Sequence, residues 1–253
     1  MGFFSRLFGG GDDNGAGVPG APKGPTPAVL RLQKKVSNKY VQAPERIHAI
    51  EALADIGTEE AVTALLQRFT FRIDQSIGDE EEKQLVSDGL IRLGPVSVPP
   101  IIAFLTKENA PFWPIHALRQ IVGDDATIGH LITIMDGMEA IFDRDVERKI
   151  ELVSNLREFK DPRVRERLLG LLSDDNEELR VHALEGLADL GQEEMGNLLV
   201  DRLLDDRETQ RVRTAILDLL IEKGWKLKHR KDEIRKSIPE AYWVDDVGVI
   251  HRR

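Results

Sequence analysis

The residues best suited to chemistry are three histidines that recur in matched surroundings: His48-Ala-Ile-Glu51, His116-Ala-Leu-Arg119 and His182-Ala-Leu-Glu185. The first and third place an imidazole and a carboxylate three residues apart, on one side of a helix. Two such pairs are a possible donor set for a two-metal centre. The same recurrence has a plainer reading, in which each histidine marks one position of a repeated unit and bonds locally, and the residues favour it. Pro111-Phe-Trp-Pro114 is similarly two-sided: Phe112 and Trp113 start a helix and pack on a neighbour, or they anchor a partner. With no Cys in the chain, thiolate metal sites and disulfides are excluded. Neither a Gly-rich phosphate loop, nor a nucleophile elbow, nor a zinc-type His spacing is present.

The elements that position these residues are repeats. Arg46-Ile-His-Ala-Ile-Glu-Ala-Leu-Ala-Asp-Ile-Gly57 returns, with only small apolar exchanges, as Arg180-Val-His-Ala-Leu-Glu-Gly-Leu-Ala-Asp-Leu-Gly191. The interval equals four steps of about 33.5 residues, the length of a helical-hairpin unit. Six pairs follow from the apolar periodicity. They are Glu45–Ile56 with Glu59–Phe71, Glu80–Leu93 with Val98–Thr106, and Pro111–Val122 with Ala126–Met138. After them come Asp145–Phe159 with Pro162–Leu172, Glu177–Leu190 with Glu193–Leu204, and Thr209–Lys223 with Lys228–Ile238. The joints fall at Gly57, Gly94, Gly123, Lys160, Gly191 and Gly224. Glycine ends a helix cheaply because it enters the left-handed region; at Lys160 the stop comes instead from Asp161-Pro162.

Outside the array, residues 1–8 form an amphipathic apolar tip with Phe3, Phe4, Leu7 and Phe8 at helical spacing, and residues 9–27 are a linker by their Gly and Pro content. The array spans 28–238, and 239–253 reads as an extended segment or short hairpin. Charge is uneven: residues 1–42 carry +4, 43–222 carry −17 and 223–253 carry +4. An acidic body disfavours a phosphate backbone as partner. Asp79-Glu-Glu-Glu82 and Asp174-Asp-Asn-Glu-Glu178 stand at helix starts, where carboxylates complement the dipole and cap free N–H groups. Met1-Gly2 fails the myristoylation pattern because Arg6 occupies the position that pattern gives to Ser or Thr. No uninterrupted apolar run approaches the ~18–20 residues that span a bilayer.

Arg46, Ala49, Glu51, Ala52-Leu53 and Gly57, and again Arg180, Ala183, Glu185, Leu187 and Gly191, resemble the first helix of HEAT-like repeats, in the short bacterial form also found in bilin lyases. The resemblance covers roughly 28–238 and implies an all-α fold, a right-handed α-solenoid of about six antiparallel helix pairs. It also brings two enzymes into comparison. Deoxyhypusine hydroxylase takes iron on adjacent His-Glu dipeptides, which this chain lacks, and the alkylpurine DNA glycosylases with HEAT-like repeats use a basic aromatic groove, which the −17 body contradicts.

The reading that results is a non-enzymatic cytoplasmic adaptor, without metal or cofactor, that holds a protein partner. Nucleic acid and small molecules are disfavoured as ligands. Its candidate contacts are the tip (Phe3, Phe4, Leu7, Phe8), Trp113, and Gln67, Arg68, Arg72, Asp136, Arg167, Asn197 and Asp201, placed on second helices by helical phase. A basic patch of Lys226, Lys228, Arg230, Lys231 and Arg235 surrounds Trp225. Two alternatives stand beside it: a metal-dependent HEAT-like hydroxylase or lyase using His48, Glu51, His182 and Glu185, and a scaffold peripheral to the inner face of a membrane through the tip and the basic patch.

Overall fold

The computed structural model describes residues 24–138, 143–191 and 193–253. The tip and most of the linker lie outside them. Twelve α-helices and one two-stranded sheet are found among the described residues. In order, α1 is Pro27–Val36, α2 Ala43–Ile56, α3 Glu59–Leu66, α4 Ser76–Leu93, α5 Val98–Leu105 and α6 Phe112–Asp136. They are followed by α7 Asp143–Leu156, α8 Pro162–Leu171, α9 Glu177–Asp189, α10 Glu193–Leu204, α11 Gln210–Lys223 and α12 Lys231–Ser237. The strands β1 Tyr242–Val244 and β2 Ile250–Arg252 pair antiparallel, with Trp243 opposite His251.

Local chemistry sets these boundaries. Thr26, Thr58, Asp161, Asn176 and Thr209 each sit in extended backbone before a helix and accept a hydrogen bond from an N–H of its first turn. Gly57, Gly94, Gly123, Gly191 and Gly224 all have positive φ, so the glycine joints expected from the sequence are where the chain turns. At Gly123 the backbone is φ 80, ψ 170, which divides α6 into the two halves of the third pair.

Each helix packs only on near neighbours. One layer runs α2, α4, the first half of α6, α7, α9 and α11; α1, α3, α5 and the second half of α6 build the other, which α8, α10 and α12 continue. A single apolar core, including Leu53, Leu65, Leu90, Leu118, Leu131, Leu168, Leu184, Leu199 and Ile216, continues from Val29 to Ile250. That is an all-α solenoid, its stability being a sum of neighbour interfaces.

Two details differ from expectation. α3 closes with a 3-10 turn at Gln67–Thr70, and α4 starts a full turn early, at Ser76 rather than Glu80. The cause of the second is Asp79, whose carboxylate accepts from the Ile73 N–H and pins the incoming loop across the helix start. Ser76–Leu105 has the length and mean hydropathy (1.3) of a membrane-crossing segment. It is nonetheless α4 and α5 broken at Gly94, and Asp79, Glu82 and Lys83 are buried within it.

The hairpin seals the last pair, with β2 packed on α11. Its turn depends on Gly248 (φ 88), where a Cβ would fall 2.2 Å from the carbonyl carbon of Leu227. Gly248→Ala is expected to detach the hairpin at a cost of about 1–3 kcal/mol. The change should be read as faster amide exchange confined to residues beyond Lys223; protection there equal to wild type would refute it.

Candidate functional site

Arg46 stands four residues beyond Gln42, the cap residue that precedes α2, and its side chain is only 2 % exposed. Its guanidinium grips Glu82 of the next pair through two hydrogen bonds, Nε to Oε2 and Nη2 to Oε1, both 2.6 Å, and donates a third to the Val41 carbonyl. Arg68, wholly buried, approaches the same carboxylate from the 3-10 turn at 2.7 Å and donates to Asp79 at 2.7 Å. Lys83 closes the set on Asp79, also at 2.7 Å. Three cations and two carboxylates are thus held out of water with their donors and acceptors matched, the condition under which burial of charge is tolerated.

The cluster forms one side of an open groove of about 640 Å³. Arg68 donates to the Phe71 carbonyl at 3.2 Å and lies over the Phe71 ring at 4.5 Å, which fixes that ring in the groove wall. The facing wall is the start of α6. Phe112 meets Trp113 edge-on at 5.3 Å, and Trp113 meets His116 in the same manner at 5.9 Å. Phe112 is 59 % exposed, a large apolar surface left in water. Arg72, Glu80 and Glu151 are exposed on the rim, and none has a side-chain partner among the described residues.

Burial pushes the Asp79 carboxyl up, but the hydrogen bonds from Lys83, Arg68 and the Ile73 N–H outweigh it and hold the pKa below the ordinary value. Glu82 behaves alike: burial raises it, and the hydrogen bonds from Arg46 and Arg68 bring it below the usual carboxylate range. Both are therefore ionised and fully engaged at neutral pH, so neither suits general acid or base work. The arrangement is built to hold a shape. What it offers a ligand is aromatic surface with charges of both signs.

The expected contact residues fall into different places. Arg72 and Trp113 line this groove, and Phe112 with them. Arg68 was expected on a binding surface and is instead sealed in the ion cluster, because its guanidinium turns inward to two carboxylates. Asp79 and Glu82 likewise do more than start a helix; Asp174-Asp-Asn-Glu-Glu178 is indeed a cap, Asn176 accepting from two N–H groups. Gln67 borders a smaller depression between α3 and α5. Asp136 and Arg167 face one another at 3.1 Å, linking the third and fourth pairs. Asn197 and Asp201 are taken by the C-terminal run itself, through His229 at 2.8 Å and Arg230 at 2.8 Å.

The basic patch is in consequence partly internal. Arg230 also meets Glu233, and Lys231 meets Asp246, while Lys226, Lys228 and Arg235 remain exposed. Phe3, Phe4, Leu7 and Phe8 lie outside the described residues. His48 and Glu51 are exposed on α2; His182 Nδ1 lies 3.1 Å from Glu185, which Arg157 also meets at 3.2 Å. α2 touches only the first helices of the stack and α9 the later ones, so the two His/Glu pairs are not brought together. Among the described residues no group of three or more metal-ligating side chains is found.

Phe71, Glu80 and Glu151 are groove residues that helical phase missed. Phe71 follows the end of α3, Glu80 lies in the first turns of α4 and Glu151 on α7, and only stacking makes them neighbours.

Glu82→Gln leaves two buried guanidinium groups short of charge and is expected to cost about 3–5 kcal/mol in denaturant unfolding. The folded pKa of Glu82 is depressed, so its contribution is complete above the ordinary value of 4.5 and fades as pH falls through the folded value. The gap between wild type and variant should therefore narrow on acidification; a gap that is constant from neutral pH to pH 3 would contradict this account.

Comparison with known families agrees with this architecture. A family described as HEAT repeats matches residues 130–221, and one described as PBS lyase HEAT-like repeat matches residues 45–70. No curated protein matches the chain.

Proposed function

We propose, from the premise that this chain is a HEAT-like repeat protein, that it is a non-enzymatic scaffold which holds a protein partner in the groove between Phe71 and Phe112. HEAT repeats commonly serve as protein-interaction scaffolds. The observation that carries the reading is Phe112: a phenylalanine 59 % exposed, braced edge-on by Trp113, in a groove whose rim has unengaged charges. Partners anchor on such aromatic side chains when the surrounding walls are rigid. Here rigidity comes from the ion cluster, which ties the Phe71 side to the body of α2 and α4.

The acidic body supports a protein partner over a nucleic acid. The match named for a lyase covers a single unit, 45–70, in which His48 and Glu51 stand exposed and far along the stack from His182 and Glu185. A cytoplasmic setting accords with the absence of Cys.

Phe112→Ala and Arg72→Glu test the proposal, since both side chains are exposed and neither change should move the unfolding midpoint appreciably. Proteins captured by the wild-type chain should be lost from both variants, and for a purified partner the affinity should fall at least about tenfold. Capture that is unchanged by both substitutions would remove the groove from the proposal.

A further inference from the structure

The groove's unengaged charges are one cation, Arg72, and two carboxylates, Glu80 and Glu151, beside the half-buried ring of Phe71 and the exposed ring of Phe112. Its complement is a short apolar segment carrying one positive charge. The chain contains such a segment. In Met1-Gly-Phe-Phe-Ser-Arg-Leu-Phe8, Phe4, Leu7 and Phe8 stand at i, i+3 and i+4, and Arg6 is the only ionisable side chain. We propose that residues 3–8 occupy this groove in the same molecule, with Arg6 directed to Glu80 and Glu151 and the apolar side chains on Phe71, Phe112 and Trp113, so that the segment competes with the partner. The proposal rests on the groove being the partner site.

Reach and concentration support the intramolecular form. α1 packs against the 3-10 turn Gln67–Thr70, and Phe69 and Thr70 of that turn line the groove. A ten-residue helix is about 15 Å long, so Pro27 starts within roughly 25 Å of the groove wall. The 18 residues between Phe8 and Pro27 could extend to at most about 60 Å, more than that distance, so the chain is long enough for its own first residues to reach the groove. A segment tethered within reach of its site experiences an effective concentration on the order of millimolar, enough for a modest contact to be populated without a partner. Covering Phe112 also removes a large apolar surface from water until a better ligand arrives.

The test uses the full chain with a photoreactive benzoylphenylalanine in place of Phe4, irradiated at low protein concentration and mapped by mass spectrometry. Crosslinks are expected within the monomer, on residues 69–73, 109–113 or 151. Their yield should fall several-fold in Glu80→Lys/Glu151→Lys, whose sites are exposed, and return when Arg6→Glu is added. Crosslinks elsewhere on the chain, crosslinks only in a covalent dimer, or a yield indifferent to the charge reversals would each overturn self-docking. The two proposals separate. If the segment crosslinks elsewhere while Phe112→Ala still loses its partner, self-docking fails and the groove stands as the partner site. If crosslinking behaves as expected but Phe112→Ala leaves the partner bound, the segment docks and the partner does not use the groove.

Discussion

A pair of arginines sharing one buried glutamate is the constraint from which the N-terminal half of the stack takes its form. Arg46 belongs to α2, Arg68 to the turn after α3 and Glu82 to α4, so the bond set crosses from one helical pair to the next. Apolar packing between pairs tolerates sliding, because dispersion and hydrophobic burial have little directionality. A two-pronged guanidinium–carboxylate contact does not, and the loss of either partner leaves charge stranded in the core. The cluster therefore fixes register between units, and through Asp79 and the Phe71 carbonyl it fixes the connecting loop as well.

The same solution recurs further along, in looser form. Arg180 stands four residues beyond Asn176, as Arg46 does beyond Gln42, and donates to the carbonyls of Asp174 and Asp175 and to Glu208 of the following pair. Arg213, four beyond Thr209, donates to the carbonyls of Asp205 and Glu208. An arginine at this place serves two ends at once: it closes its own incoming loop and, where an acid is supplied one unit later, staples the neighbour. Elsewhere in the array, Arg157, Asp189 and Lys223 connect the end of α7 with α9 and α11 in a partly exposed ladder that is screened by solvent and contributes less.

Much of this architecture was legible in the amino-acid order. The Arg46 and Arg180 segments announce the repeat, and the glycines at the joints adopt the backbone that ends a helix. The site was legible only in part. Trp113 was named by its residue type and Arg72 by helical phase, and both line the groove, whereas Arg68 was misplaced: helical phase assigns a direction to a Cα–Cβ bond, and a long side chain within a 3-10 turn can point back into the body. The signal in register belongs to its neighbour Arg46, since Glu82 lies about one unit beyond Arg46, as Glu208 does beyond Arg180, while Arg68 stands 14 residues before Glu82. Glu151 had no such signal. Its place beside Phe112 is created by stacking across two pairs, which a linear pattern does not encode.

Stacked repeats present a raw end wherever the series stops, and an uncovered last helix invites another hairpin, from the same molecule or a stranger, to continue the pile. Here β2 lies across α11, and Arg252 fastens it to Asp218 at 2.6 Å. The strand pair cannot template a further helical unit. The hairpin thus acts as a stopper laid on α11, occupying surface of that helix that a neighbouring helix would otherwise cover.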